Sequence, residues 1–272
     1  INGGILANNN GTGVQAIFCN TSLEVSSGSL ELNGSGASYT YVGTTLTHTG
    51  GSIARIGGTP YIEFNGTALQ NITVTGTAIV SGAINFRVNN PAGIQITTGS
   101  TLPVNGGAIL QMSQGSVAFQ GTGTINYGNT PSLAELLYEP TGSIAITTGA
   151  EWFTTGMRRV RINSTSSQPI TLNASREMSD LAGSVIQFDN GRLALGNFNL
   201  TILNRETGAV VANGGYAESN GTGQLIREIL SSANNIYVFP VGATGGYSPL
   251  TLNFATNSVA GRRVGVMAIA GT

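Results

Sequence analysis

Apolar and polar residues alternate with a period of two along almost the whole chain, in runs of four to six residues bounded by Gly, Asn or Ser. Leu30-Glu31-Leu32, Ile72-Thr73-Val74, Ile94-Gln95-Ile96, Val117-Ala118-Phe119, Ile144-Ala145-Ile146, Ile170-Thr171-Leu172 and Leu193-Ala194-Leu195 are examples. This alternation predicts half-buried strands with one face in a core and Thr, Gln or Glu facing water. Taking Leu30, Ile53, Ile72, Ile94, Val117, Ile144, Ile170 and Leu193 as anchors, the intervals are 23, 19, 22, 23, 27, 26 and 23 residues. A period near two dozen, with two or three short strands per unit, matches one coil of a parallel β-helix whose apolar row is covered only when coils stack. The uneven intervals are read as insertions at the corners.

An open parallel sheet needs helices over its faces, and this sequence offers almost none, so parallel strands must close on themselves. The rival is an antiparallel sandwich, because Asn-Gly pairs at 10-11, 33-34, 65-66, 105-106, 190-191 and 213-214 also make good hairpin turns. The reading adopted is all-β: a right-handed parallel β-helix over residues 1–205, followed over residues 206–272 by a small antiparallel β-sandwich-like domain that caps it. In that second part Gln224–Leu230, Asn235–Gly242 and Tyr247–Phe254 read as antiparallel strands, and Arg263–Ile269 as a last one. One segment breaks the rhythm. Thr130–Pro140 places Pro near a helical start, apolar residues at 133, 136 and 137, and Pro as a stop, which predicts a helix of one or two turns.

The pieces near the end also resemble something known. Gly191-Arg192-Leu193-Ala194-Leu195-Gly196-Asn197-Phe198-Asn199-Leu200-Thr201-Ile202 comes first, then Tyr216-Ala217-Glu218-Ser219-Asn220-Gly221-Thr222-Gly223-Gln224-Leu225-Ile226-Arg227. Tyr237-Val238-Phe239-Pro240-Val241-Gly242 and Tyr247-Ser248-Pro249-Leu250-Thr251-Leu252 follow. In that order they resemble the repetitive adhesin-like surface proteins of Bacteroidota, often exported by the type IX secretion route, in which a final β-helix coil passes into a Y-x-F-P-V-G module. The resemblance spans about residues 183–256. It implies an extracellular or cell-surface location, a scaffold or adhesion role, and as partners other surface-protein domains, copies of the chain itself, or glycans. It transfers no catalytic residue.

Composition narrows the chemistry. Charged residues make up 8% of the chain and Gly 40 of 272 positions, so the surface is built of hydroxyls and amides. All 11 basic residues are Arg, and the formal net charge is −1, which directs no field at nucleic acid or an anionic membrane. No apolar run reaches the length of about 18 residues needed for a spanning helix, so no membrane insertion is expected. The chain opens at Ile1 with neither an initiator Met nor a signal sequence, and reads as a processed product or a piece of something longer. Cys19, after Ala16-Ile17-Phe18, reads as a buried small hydrophobe.

Candidate catalytic groups are sparse. The single His, His48, is read as exposed on a strand, out of phase with Leu46, and no Gly-x-Ser-x-Gly elbow accompanies it. A β-helix lyase or glycosidase, the alternative from the enzyme class, needs an acidic cluster on one face. The close groupings are Glu135 with Glu139, read as the solvated side of the short helix, and Glu177, Asp180 and Asp189, read as corner and turn residues. No cofactor is expected, and Ca²⁺ near that second set is the one metal this reading allows. Gly11-Thr12-Gly13-Val14-Gln15-Ala16 matches a dinucleotide fingerprint without the helix that gives the motif its meaning. Arg158, Arg159 and Arg161 make a basic spot read as pairing with nearby Glu. For a glycan, stacking aromatics are the natural hardware, and Tyr39, Tyr41 and Trp152 are the candidates. Asn-x-Ser/Thr triplets, as at Asn71 and Asn199, follow from composition and carry no glycosylation inference.

Overall fold

The computed structural model describes residues 1–8, 15–32, 36–129, 132–232, 234–244, 246–259 and 261–269. The fold is all-β, a parallel β-solenoid of about nine turns with small antiparallel sheets near the end. It divides into two compact units, residues 1–136 with 149–151 and residues 137–148 with 152–272.

In the first unit each coil contributes one strand to each of three sides. The long-strand side holds Gln15–Cys19, Ala37–Val42, Thr59–Phe64, Asn85–Asn89 and Ile109–Gln114, all parallel. A second side holds Leu23–Val25, Thr45–His48, Gln70–Val74, Ile94–Ile96 and Val117–Phe119. The third holds Ile5–Asn8, Ser29–Leu32, Ser52–Arg55 and Ile79–Ser81, with Thr101–Val104 and Thr124–Tyr127 as a further parallel pair. Alternation decides which residues line the inside. Leu23 lies opposite Leu46, Leu46 opposite Ile72, and Ile72 opposite Ile96, giving one apolar column. On the long strands Val42, Phe64 and Val88 form another, and the Phe64 ring lies 6.5 Å from that of Phe86 and nearly parallel to it. Fully burying one such side chain stabilises by about 1.5–3 kcal/mol, which stacking multiplies coil by coil.

The second unit repeats the plan with Arg159–Asn163, Val185–Asn190 and Val210–Ala212 on its long-strand side. Parallel pairing continues past residue 205: Leu225–Glu228 pairs with Leu200–Ile202, and Val241–Ala243 with Tyr216–Ser219. Antiparallel strands are then added. Arg263–Val266 lines the edge of Leu225–Glu228, Gly246–Tyr247 folds against Val241–Ala243, and Asn235–Phe239 forms a separate pair with Leu250–Phe254. Two of the expected antiparallel strands, Gln224–Leu230 and the end of Asn235–Gly242, therefore lie in parallel coils as well. The last strand stops at Val266.

Two expectations fail here. The short helix is absent: Glu135–Tyr138 is a strand, and the Glu135 amide donates to the Ala108 carbonyl at 2.9 Å. A helix of one or two turns gains few internal bonds against a costly nucleus, whereas a coil strand joins a ladder already formed, so tertiary pairing wins. Thr130 and Pro131 lie outside the described residues. The shortest anchor interval, 19 residues, also has another cause. Leu30 does lie opposite Ile53, Ile94 opposite Val117 and Ile170 opposite Leu193, but Ile53 and Ile72 stand on different sides of the coil. The short interval measures a change of side.

Candidate functional site

The most distinctive surface of the first unit is the outward face of its long strands. Ser38, Thr40 and Val42 point inward, so Tyr39 and Tyr41 point out, as their spacing predicts. Parallel register then places Phe18 opposite Tyr41, and Tyr39 opposite Tyr61. The rings stack: Phe18 on Tyr41 at 4.9 Å, Tyr39 beside Tyr41 at 5.8 Å, Tyr39 on Tyr61 at 5.2 Å, all within 16° of parallel. The Arg87 guanidinium closes the row, 5.3 Å from the Tyr39 centroid and 4.9 Å from that of Tyr61. Arg87 also pairs with Glu63 at 3.2 Å, and its Nε donates to Gln111 Oε1 at 3.0 Å. Burial, with a smaller contribution from Glu63, raises the Tyr41 phenol above its usual range, so it stays protonated.

This wall can make contacts through ring edges, phenol hydroxyls and amides, and it has little ring face to offer. A pyranose stacks on a face, and the faces of Tyr39 and Tyr41 meet their neighbours. Phe18, 68% exposed at one end of the row, is the most accessible ring. Trp152, the third candidate, is 0% exposed, belongs to the second unit and packs against Tyr138 at 5.9 Å. Its Nε1 has no hydrogen-bond partner among the described residues, and no sugar reaches it. Phe18, Tyr61 and Arg87 escaped the sequence reading because they join the row only through register. Looking one coil period from Tyr39 would have found Tyr61.

The remaining candidates are dispersed. His48 is 0% exposed, contrary to expectation, since it lies two residues from Leu46 and shares its inward face. It fills a column between Val25 and Val74. Its Nε2 lies 3.4 Å from the Gly51 carbonyl oxygen, while Nδ1 has no partner among the described residues. Burial lowers its pKa below 6.5, partly offset by the Gly51 contact. The folded chain therefore binds fewer protons than the unfolded chain as pH falls through that value, and stability must drop there. His48→Val, matching the residues above and below it, is expected to raise the melting temperature and to flatten its decline between pH 7 and 5. Equal pH slopes for the two proteins in thermal scans would refute this.

Cys19 is half-buried instead of buried, and desolvation raises its thiol pKa. Glu135 stands on a strand, and Glu139 accepts from Asn163 Nδ2 at 2.7 Å. Asp189 accepts from Gln187 and Asn213 and lies 3.9 Å from Arg161. Arg158 donates to the Ala182 carbonyl. Among the described residues no three His, Cys, Asp or Glu side chains are grouped to hold a metal ion, so Glu177, Asp180 and Asp189 do not form a Ca²⁺ cage. The dinucleotide-like Gly11-Thr12-Gly13-Val14 lies outside the described residues. No protein-family model, curated protein or solved structure matches the chain.

Proposed function

We propose that this chain is a structural and adhesive segment of a large secreted bacterial surface protein, of the repetitive Bacteroidota kind its residues 183–256 resemble, acting as a scaffold and not as an enzyme. One observation supports the reading above the others: polar side chains on the outside bond mainly from one coil to the next. Ser52 Oγ donates to Ser29 Oγ at 2.9 Å, Thr73 and Thr97 share a hydrogen bond at 3.0 Å, and Asn213 Nδ2 donates to Asp189 Oδ1 at 2.6 Å. Hydroxyls and amides that a lyase would aim at substrate are used here for cohesion between coils. A surface made this way suits a module that must persist outside the cell, where stability against local opening is resistance to proteases.

Partners in this reading are neighbouring surface domains, further copies of the chain, or glycans. Where the chain adheres, the Phe18, Tyr41, Tyr39 and Tyr61 row is the surface that meets the target. Two measurements test the proposal on the purified chain. Prolonged trypsin treatment is expected to leave the coils uncut despite the 11 Arg residues of the sequence, and incubation with a panel of polysaccharides is expected to release no new ends. Ready cleavage within the coils would remove the scaffold role. Turnover of any polysaccharide would replace it with the enzyme reading.

A further inference from the structure

We propose that both units carry the same three-coil module, locked in each at a strand bulge by a ladder of side-chain amides that ends on a glutamate. In the first unit Asn89 Nδ2 donates to Glu63 Oε1 at 2.9 Å, and Gln114 Nε2 donates to Asn89 Oδ1 at 3.0 Å. The register slips between Val88 and Asn89, which is what brings Gln114 opposite Asn89. In the second unit Asn163 Nδ2 donates to Glu139 Oε1 at 2.7 Å, and Asn190 Nδ2 donates to Asn163 Oδ1 at 3.0 Å. There the slip falls between Ile162 and Asn163 and brings Asn190 opposite Asn163.

The correspondence extends well beyond the ladder. Arg87 lies opposite Gln111, and Arg161 opposite Gln187. Gln111 Nε2 reaches Ser113 Oγ, and Gln187 Nε2 reaches Asp189 Oδ1, each two residues along. After the ladder Asn90 Oδ1 accepts from the Ala92 amide, and Ser164 Oγ from the Ser166 amide, the same local turn built with two side chains. Gly115 and Gly191 follow with φ of 72° and 78°, each pressed against the backbone at that turn residue, Asn90 or Ser164. The next side then pairs Ile94 with Val117 and Ile170 with Leu193. Every equivalent pair lies about 75 residues apart, or three coils. Aligned side by side, Gln111–Phe119 and Gln187–Leu195 share only Gln, Gly and Ala, so the duplication is carried by geometry and is hidden from the sequence.

The ladder works because a carboxylate only accepts. Glu63 and Glu139 oblige the adjoining Asn to present its NH₂, which leaves Oδ1 to accept from the amide beyond, so the acid sets the direction of the whole column. A bulge otherwise leaves a strand free to slip, and an oriented column removes that freedom. Within the proposed scaffold role, this module is the increment in which the two units were built.

Hydrogen–deuterium exchange of the full chain tests it. Asn89→Ala is expected to speed exchange about tenfold at residues 85–89 and 109–114 while residues 159–163 and 185–190 stay unchanged, and Asn163→Ala the reverse. Glu63→Gln and Glu139→Gln, which keep shape and remove the directing charge, are expected to give the same two patterns at about threefold, and Arg87→Gln, which removes the Glu63 ion pair and leaves the ladder, is expected to leave residues 109–114 unchanged. Those variants decide the matter should the alanine proteins fail to fold. A response in one unit without its counterpart in the other, or no response in either, overturns the proposal.

Discussion

Replacing Arg227 by Met is expected to cost about 3–5 kcal/mol, because a buried charge network loses its donor and its acceptors stay behind. Arg227 is 0% exposed. Its guanidinium donates to the carbonyls of Val238 at 3.0 Å, Glu206 at 2.9 Å and Thr207 at 2.9 Å. It also lies 4.8 Å from the Tyr237 ring centroid and 5.9 Å from that of Phe239. Burial lowers its pKa to about 10, which still leaves it charged at neutral pH. Three carbonyl dipoles and two aromatic rings therefore carry the burden of solvating it.

Met fills much of the same volume, so packing alone predicts a small loss; the large loss follows from three carbonyls that lose the guanidinium as donor, of which Glu206 keeps the Ala209 amide at 3.0 Å. Arg227→Lys keeps the charge but cannot serve three carbonyls from one plane, and is expected to fall between. Denaturant titration of both variants measures the difference, and exchange at residues 235–254 shows where it acts, since Tyr237 is tied there by its hydroxyl to the Arg205 carbonyl at 2.8 Å. A Met variant as stable as the parent would show that the aromatic contacts and carbonyl bonds are incidental. The same contacts give Gly221-Thr222-Gly223-Gln224-Leu225-Ile226-Arg227 and Tyr237-Val238-Phe239 a physical meaning. The Arg of the first is clasped by the two rings of the second, which fastens the antiparallel pair Asn235–Phe239 and Leu250–Phe254 beside the last coils.

The architecture was legible because alternation and period are local quantities. Leu30, Ile94 and Ile170 each lie opposite a partner that the two-dozen period picks out. Register within a coil was not legible, since a coil has three sides and the period says nothing about which side an anchor occupies; Ile53 and Ile72 show the confusion. His48 was misplaced because its phase was misjudged: a residue two from Leu46 shares its face, and setting the two out of phase put the ring in water. The helix over 130–140 failed because Pro spacing and apolar residues at 133, 136 and 137 describe a local preference, and the ladder bond from Glu135 to Ala108 overrode it.

The aromatic row was half legible for a related reason. Tyr39 and Tyr41 belong to one strand, so their common face follows from spacing alone. Phe18, Tyr61 and Arg87 come from other coils, and their meeting depends on exact opposition between strands about two dozen residues apart. Trp152 carries no such information in its neighbours, and an isolated large ring falls by default to the core, where it is found. The amide ladders lay further out of reach still, because each needs a bulge that no periodicity announces.

Coil spacing is the quantity a single methyl group can test. Gly115 has a φ of 72°, and a Cβ there would lie 2.1 Å from the Asn90 carbonyl oxygen and 2.9 Å from Gly93 Cα, both of them backbone. Gly115→Ala therefore carries two costs: a left-handed conformation of about 1 kcal/mol, and overpacking of about 1–3 kcal/mol that a stacked backbone cannot relieve by rotating a side chain. Gly99 separates them. Its φ is 75°, and nothing lies within 4 Å of the position its Cβ would take. Gly99→Ala is thus expected to lose about 1 kcal/mol, and Gly115→Ala about 2–4 kcal/mol, in denaturant titrations under the same conditions. Equal losses would mean that the coils yield to a methyl group at no cost, and that the tight contact between Gly115 and the Asn90 turn does not hold their separation. The larger loss at Gly115 would mean that backbone contact sets the distance between successive coils, the same distance that lets Tyr39 stack on Tyr61 and Asn89 reach Glu63.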